Sequence, residues 1–259
     1  MKFINQILSD YKGIVNVCGF AAAMKWLLFI FLTLPQCIKH KNLQPADKLF
    51  GVGPVAVKSK NGKVNLSGGQ IFSSIREIWV RNVYLKDNFI KIPDEGVVVD
   101  LGANVGAFTM LALANSKTGK VISVEPNAEF NKLLLRQVTN NNFNDRVILQ
   151  RYFIGSVSTT QKEMLKAPDS KDAQFITQKE FIELNKLSRI DFLKCDIEGG
   201  EFDFINDTSL LQITNQLAIE IHDSTGDRNE FIKKLKELNF QIGPIKDDGV
   251  SCILLARRS

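Results

Sequence analysis

The sequence of 259 residues predicts an α/β protein: a mostly parallel sheet with helices on both faces, an antiparallel hairpin at its end and a helical arm in front. Three observations predict it. Strand-like apolar runs alternate with helix-like runs from Val97 to Leu238. One of those strands passes through a glycine turn straight into a helix. The last two strands are separated by four polar or glycine residues, too few for a helical crossover. With 44% apolar and 24% charged residues, the composition is that of an ordinary globular chain with material for a sizeable core.

The arm comes first. Residues 13–38 carry a single charge, Lys25, followed by the apolar run Trp26-Leu27-Leu28-Phe29-Ile30-Phe31-Leu32-Thr33-Leu34 and then Pro35. A bilayer span needs about 20 apolar residues, and a lysine at its centre costs roughly 2.5–3.5 kcal/mol. A clean span is therefore disfavoured. A signal peptide is disfavoured too, because no small-residue cleavage site follows. The flank Lys39-His40-Lys41 with Trp26 at the other end suits a helix lying on an anionic membrane face, so membrane association is expected through residues 13–41. The alternatives are a spanning helix and a helix packed on the main domain. Residues 1–49 hold six lysines against Asp10 and Asp47, net +4 of the chain's total of +5, which leaves +1 for all that follows. No dense basic cluster with interleaved aromatics occurs, so nucleic acid is not an expected partner. The four cysteines, Cys18, Cys37, Cys195 and Cys252, show no paired spacing, and there are two histidines. Zinc and a disulfide framework are disfavoured, and reduced thiols imply a cytoplasmic protein, at the cytoplasmic face if the arm meets a membrane.

Residues 50–95 read as a cap segment. Asn61-Gly62 between Val55-Ala56-Val57 and Val64-Asn65-Leu66 signals a hairpin whose register is left open by Lys58-Ser59-Lys60. Ile71, Ile75 and Ile78 then fall at helical spacing. Residues 96–259 form the main domain. Its first strand, Val97-Val98-Val99-Asp100-Leu101, turns through Gly102-Ala103-Asn104-Val105-Gly106 into the helical run from Ala107 to Ala114. Further strands are expected at Val121–Glu125, Arg146–Gln150, Ile190–Asp196 and Leu217–His222. A helix is expected from Asp227 to Leu238, and the closing hairpin from Phe240 to Ile245 and Val250 to Ala256.

In such a sheet a ligand lies beyond the carboxyl ends of the strands, and Asp100, Glu125, Asp196, Glu220 and His222 all fall near those ends. The glycine turn is neither the G-x-G-x-x-G fingerprint nor a P-loop, which disfavours a nicotinamide-dependent oxidoreductase. Glu125, 19 residues after Gly106, is placed to accept both hydroxyls of a ribose. Asp100 before the turn suits a ligand with an amino group better than one with a pyrophosphate. Two acids with few cations favour S-adenosylmethionine. For the chemistry the candidates are Asp196, Glu198 and His222. Asp196 reads equally as the cap of a following helix, Glu198 as a turn residue and His222 as a structural histidine. A divalent ion held by Asp196, Glu198 and Glu220 is a further option, although no metal is assigned. Cys195 reads as core.

Four stretches carry a resemblance: Asp100 to Gly106, Val124-Glu125-Pro126-Asn127, Phe192-Leu193-Lys194-Cys195-Asp196-Ile197-Glu198-Gly199-Gly200-Glu201 and Ile219-Glu220-Ile221-His222. Together, over roughly residues 70–256, the sequence resembles the FkbM-type methyltransferases. The resemblance implies a Rossmann-like class I methyltransferase domain with a seven-stranded sheet, S-adenosylmethionine as donor, and O-methylation of a hydroxyl on a sugar, glycolipid or similar small acceptor. It also implies that Asp100, Gly102, Asn104, Gly106 and Glu125 bind the donor. Gly200 stands where the family often has alanine. Ser156 stands where an acid is common, which leaves adenine recognition unassigned. The competing expectation is an inactive, membrane-associated binding or scaffold protein of the same fold.

Overall fold

The computed structural model describes residues 2–69, 71–155, 162–163, 165–222, 226–247 and 251–258. The order opens with four helices, α1 (Lys2–Cys18), α2 (Phe20–Leu32), α3 (Leu34–His40) and α4 (Gln44–Lys48). A hairpin follows, β1 (Val55–Ser59) and β2 (Gly62–Leu66), and then α5 (Ile71–Ser74), which runs into a π-helical turn at Ile75–Val80. The main domain contributes β3 (Val97–Leu101), α6 (Ala107–Asn115), β4 (Lys120–Val124), α7 (Ala128–Asn140), β5 (Val147–Gln150), β6 (Tyr152–Ile154), β7 (Gln174–Ile176) and α8 (Gln178–Leu184). It continues with β8 (Phe192–Cys195), α9 (Asp203–Asn206), α10 (Ser209–Gln212), β9 (Gln216–His222), α11 (Arg228–Glu237), β10 (Phe240–Asp247) and β11 (Ser251–Arg258).

Seven strands form the main sheet in the order β10-β11-β9-β8-β3-β4-β5. The five strands from β9 to β5 pair in parallel, while β11 is antiparallel to both β9 and β10. The near-continuous apolar run of β3 fits a central strand covered on both faces. Its side chains alternate between two cores: Val98 packs into the one under the arm, Val99 and Leu101 into the one under α8 and α11. Register matters most for function. Leu101 lies level with Val124 on one side and with Cys195 on the other, and Cys195 is level with Ile219. The next residue of each strand therefore stands in one row along the top of the sheet, as Glu125, Gly102, Asp196 and Glu220.

The expected first hairpin is present, with Val57 opposite Val64 and Ser59 opposite Gly62. Its turn consists of Lys60 and Asn61, not of the Asn-Gly pair. Asn61 spends its amide on the carbonyl of Ser116, 2.8 Å away, and so fastens the hairpin to the main domain. The helix expected on Ile71, Ile75 and Ile78 buries Ile71 and Ile75 but then Trp79, because the wider π turn advances the inward position by one residue.

The arm shares one core with the hairpin, α5 and α6, through Ile14, Trp26, Leu66, Phe72 and Phe108 among others. A buried charge network secures it. Arg76 bridges Asp10 at 2.9 Å and Asp47 at 2.6 Å, Arg81 reaches Asp10 at 2.7 Å, and the Trp26 indole donates to Asp47 at 2.9 Å. Burial alone would make Arg76 easier to deprotonate, but the two carboxylates hold its pKa above the ordinary guanidinium value. No single helix among the described residues is long and apolar enough to cross a membrane, and α2 and α3 meet at a bend of 77°.

Removing the shared cation leaves two carboxylates buried without compensation. Arg76→Ala should cost about 3–5 kcal/mol of stability, measured by urea denaturation. Arg81→Ala, whose side chain is 27% exposed, should cost about 1 kcal/mol or less.

Candidate active site

The row of strand ends opens into a cleft lined by Gly102, Asn104, Glu125, Phe130, Tyr152 and Ile154, with Asp196 and Glu198 at one side. The floor is the glycine turn. Gly102 has φ of +73°, and a Cβ there would lie 1.7 Å from the carbonyl oxygen of Asp196. Only glycine lets the turn sit this close to the end of β8. Gly106 is left-handed as well and starts α6, and its missing side chain makes room for Leu134. Between them, Asn104 directs its backbone N–H at Glu125 Oε2 over 2.8 Å. Glu125 Oε1 accepts from the backbone N–H of Asn127 at 2.9 Å. Each carboxylate oxygen retains acceptor capacity for a hydroxyl. Burial pushes the Glu125 carboxyl above its ordinary pKa against the pull of those two N–H groups.

Asp100 does not line the cleft. It is fully buried beneath the turn, where it accepts from Thr109 Oγ1 at 2.7 Å and faces the Lys194 ammonium at 3.3 Å. Lys194 itself donates to the carbonyls of Leu101, at 3.2 Å, and Gly102, at 2.7 Å. Burial opposes its charge, but Asp100 and then Asp196 keep its pKa above the ordinary value. Cys195 is fully buried between the strands, as a core residue.

The second group of polar residues gathers at the ends of β8 and β9. Asp196 Oδ2 accepts from the Tyr84 hydroxyl at 3.3 Å, and the same hydroxyl lies 3.5 Å from Glu220 Oε2. Asp196 caps no helix, since the first helical turn after it begins at Asp203 with Phe202 at its N-cap position. Glu198 sits in left-handed backbone, φ 56°, with its side chain half exposed. The turn is held by Glu201 instead: fully buried, it accepts from the backbone N–H of Ile197 at 3.1 Å and of Gly199 at 2.9 Å. Glu201 also meets His222 Nδ1 at 3.2 Å, while His222 Nε2 stands 3.5 Å from Glu198. The hydrogen bond to Glu201, with the charges of Glu201, Glu198 and Asp196, pushes the His222 pKa up to about 9. At neutral pH this histidine is an imidazolium. Burial, and then the charge of Asp196, raise the Glu198 and Glu220 carboxyls above their ordinary range.

Asp196, Glu198 and His222 each offer an atom within 4.8 Å of the others, the spacing of a three-ligand divalent site. An imidazolium has no lone pair to give, so a cation would first have to displace a proton from His222. Tyr84 lies in an irregular segment 112 residues from Asp196 and carries no local signal of its role, and neither do Glu201 and Lys194 taken singly. The only available signal for the latter two was their place inside the stretch from Phe192 to Glu201. Ser156 lies outside the described residues.

A seven-stranded sheet in this order, with a glycine turn after its first strand and an acid ending the second, defines a class I S-adenosylmethionine-dependent methyltransferase. A family model described as the methyltransferase FkbM domain matches residues 100–242, and the chain belongs to that family. No curated protein sequence matches the chain. Among solved structures, the precorrin-6y C5,15-methyltransferase of Geobacter metallireducens GS-15 is similar over 69% of this chain and 88% of its own, at 14% identity and a TM-score of 0.44. A fibrillarin/Nop5p complex gives 80% and 94%, 17% identity and 0.48. Aeropyrum pernix fibrillarin with natively bound S-adenosyl-L-methionine gives 79% and 94%, 13% identity and 0.45. These likenesses are of fold and do not extend to the acceptor.

The residues present fit S-adenosylmethionine as the donor: a turn that no side chain obstructs, a buried carboxylate with spare lone pairs and an aromatic wall. Glu125→Ala should weaken binding of S-adenosylhomocysteine roughly 10–100-fold, the loss expected for charge-assisted hydrogen bonds. Calorimetric titration reads the change, and Glu125→Gln should retain part of the affinity.

Proposed function

We propose that this methyltransferase transfers a methyl group to a hydroxyl of a sugar, glycolipid or similar small acceptor at the cytoplasmic face of a membrane. One observation carries the reading: three carboxylates, Asp196, Glu198 and Glu220, converge with Tyr84 and an imidazolium beside the donor cleft. Carboxylates accept hydrogen bonds from neutral hydroxyls and can take up their protons. The same cluster repels a phosphodiester chain, which disfavours a nucleic acid. The basic, apolar stretch 13–41 supports the membrane location.

When bound, the donor supplies a methyl group already activated on a sulfonium. In our reading Asp100, Gly102, Asn104, Gly106 and Glu125 build the donor side, with Asp100 acting from beneath the turn. What is left for the protein is to place the acceptor in line and to receive its proton. We assign proton acceptance to Asp196, which borders the cleft and takes a hydrogen bond from Tyr84. His222, being protonated, cannot act as a base at neutral pH. It holds Glu198 in place from the other side and offsets the charge that builds up among the acids. Glu198 and Glu220 offer the acceptor further hydrogen bonds.

Incubation with labelled donor and fractionated polar and lipid extracts, followed by mass analysis, tests the acceptor class. A labelled glycan or glycolipid supports the reading. Donor binding with no labelled product from any extract would shift it to a binding or scaffold protein. Asp196→Asn should lower turnover about 100-fold or more while leaving S-adenosylhomocysteine affinity within a few-fold. Turnover should also fall as pH rises through about 9, where His222 loses its proton. A rate that climbs through that range would make His222 the base instead, and a rate abolished by chelation and restored by a divalent ion would move the role to a metal.

A further inference from the structure

We propose that the outward face of α1, α2 and α3 is a preformed platform that lies flat on an anionic lipid surface. This deepens the membrane location proposed above and rests on it. Apart from Lys25, helix α2 is apolar all round. Its inner face, with Ala23, Trp26 and Ile30, is consumed by the core. Its outer face repeats Phe20, Met24, Leu28 and Phe31 at helical spacing, all exposed, with Phe31 at 74%. A helix apolar on every side belongs in a core or in lipid, and here the protein covers only half of it.

The stripe continues onto the neighbouring helices. Ile4 and Leu8 are exposed on α1 and share a face with Tyr11, whose hydroxyl rests 3.7 Å from the sulfur of Met24. On α3, Ile38 is exposed just ahead of Lys39, His40 and Lys41. Lys25 does not break the stripe. Its ammonium is drawn over the rings of Phe29 and Phe50, at 5.4 and 5.1 Å. The bend of 77° between α2 and α3, and the shortness of each, fit helices lying in the plane of a membrane.

Charge selects the partner. The only acids in the first 49 residues are Asp10 and Asp47, and both are 2% exposed and paired with Arg76 or Arg81. Lys12, Lys25, Lys39, Lys41 and Lys48 are all exposed. The arm thus shows solvent an apolar stripe with a positive rim and hides its negative charges. A second copy would bring lysine rim against lysine rim, whereas anionic headgroups complement it.

Co-sedimentation of the full chain with vesicles tests this. Binding is expected to phosphatidylcholine vesicles containing about one quarter phosphatidylglycerol, and to be roughly tenfold weaker on phosphatidylcholine alone or at high salt. The double variant Leu28→Asp/Phe31→Asp should lose at least tenfold in vesicle affinity, and Lys39→Glu/Lys41→Glu should lose the preference for anionic lipid. Both should bind S-adenosylhomocysteine as the unaltered chain does, which shows that they fold. Failure to bind anionic vesicles, or equal binding by the Leu28/Phe31 variant, overturns the proposal. So does a dimer in analytical ultracentrifugation that this variant disperses, which would assign the stripe to a second copy. Vesicle binding with labelled product only from polar soluble acceptors would leave the platform standing and remove the lipid-linked acceptor.

Discussion

The buried ammonium of Lys194 is the interaction on which the site depends. It sits between the exits of β3 and β8, donates to the carbonyls of Leu101 and Gly102, neutralises Asp100 and faces Asp196 at 3.9 Å. A lone cation there would be expelled by its desolvation cost, and a lone Asp100 likewise. Together they fix the exit of β3 against the exit of β8. The glycine turn and the acid proposed as proton acceptor are thereby held as one unit. Gly102 enforces the same closeness from the backbone side, because its Cα approaches the Asp196 carbonyl too nearly for any side chain.

Around that unit the register of the sheet does the remaining positioning. Since Leu101, Val124, Cys195 and Ile219 are level, a single residue step beyond them sets one carboxylate in the lining of the cleft and two more at its side. Glu201 then frees Glu198 by taking over the backbone bonds of the tight turn and keeps His222 charged. Residues 50–95 add Tyr84, which packs edge-on to Phe108 and reaches Asp196 and Glu220 with its hydroxyl. The arm is tied through Arg76 to the segment that carries Tyr84, and the two share one core. A platform that settles on lipid would therefore hold the site at a fixed orientation to the surface. This couples where the enzyme works to what it is proposed to methylate.

Much of this was legible in the sequence where the cause is local. The apolar run of β3, the glycine turn and the strand-helix alternation follow from short-range patterns, and so do the closing hairpin and the acids at strand ends. What was not legible depends on partners far apart in the chain. Arg76 sits in an apolar helical pattern, and nothing nearby reveals that Asp10 and Asp47 await it. The fate of Lys25 turns on Phe50, 25 residues on. Asp196 reads in the sequence as a helix cap as readily as an active acid, and only the turn that follows it, ahead of the helix at Asp203, separates the two. The depth of Asp100 beneath the turn depends on Lys194, its partner on a strand far along the chain. Asn61 was expected within an Asn-Gly turn, but the carbonyl of Ser116 shifts the loop by one residue.

The most direct test of the role given to Lys194 is a calorimetric titration of S-adenosylhomocysteine into the double variant Lys194→Met/Asp100→Asn. Removing both charges avoids an uncompensated ion, so circular dichroism should show the native fold. Donor affinity should fall at least about tenfold, the loss of roughly one charge-assisted hydrogen bond's worth of anchoring at the turn. Affinity equal to that of the unaltered chain would contradict it.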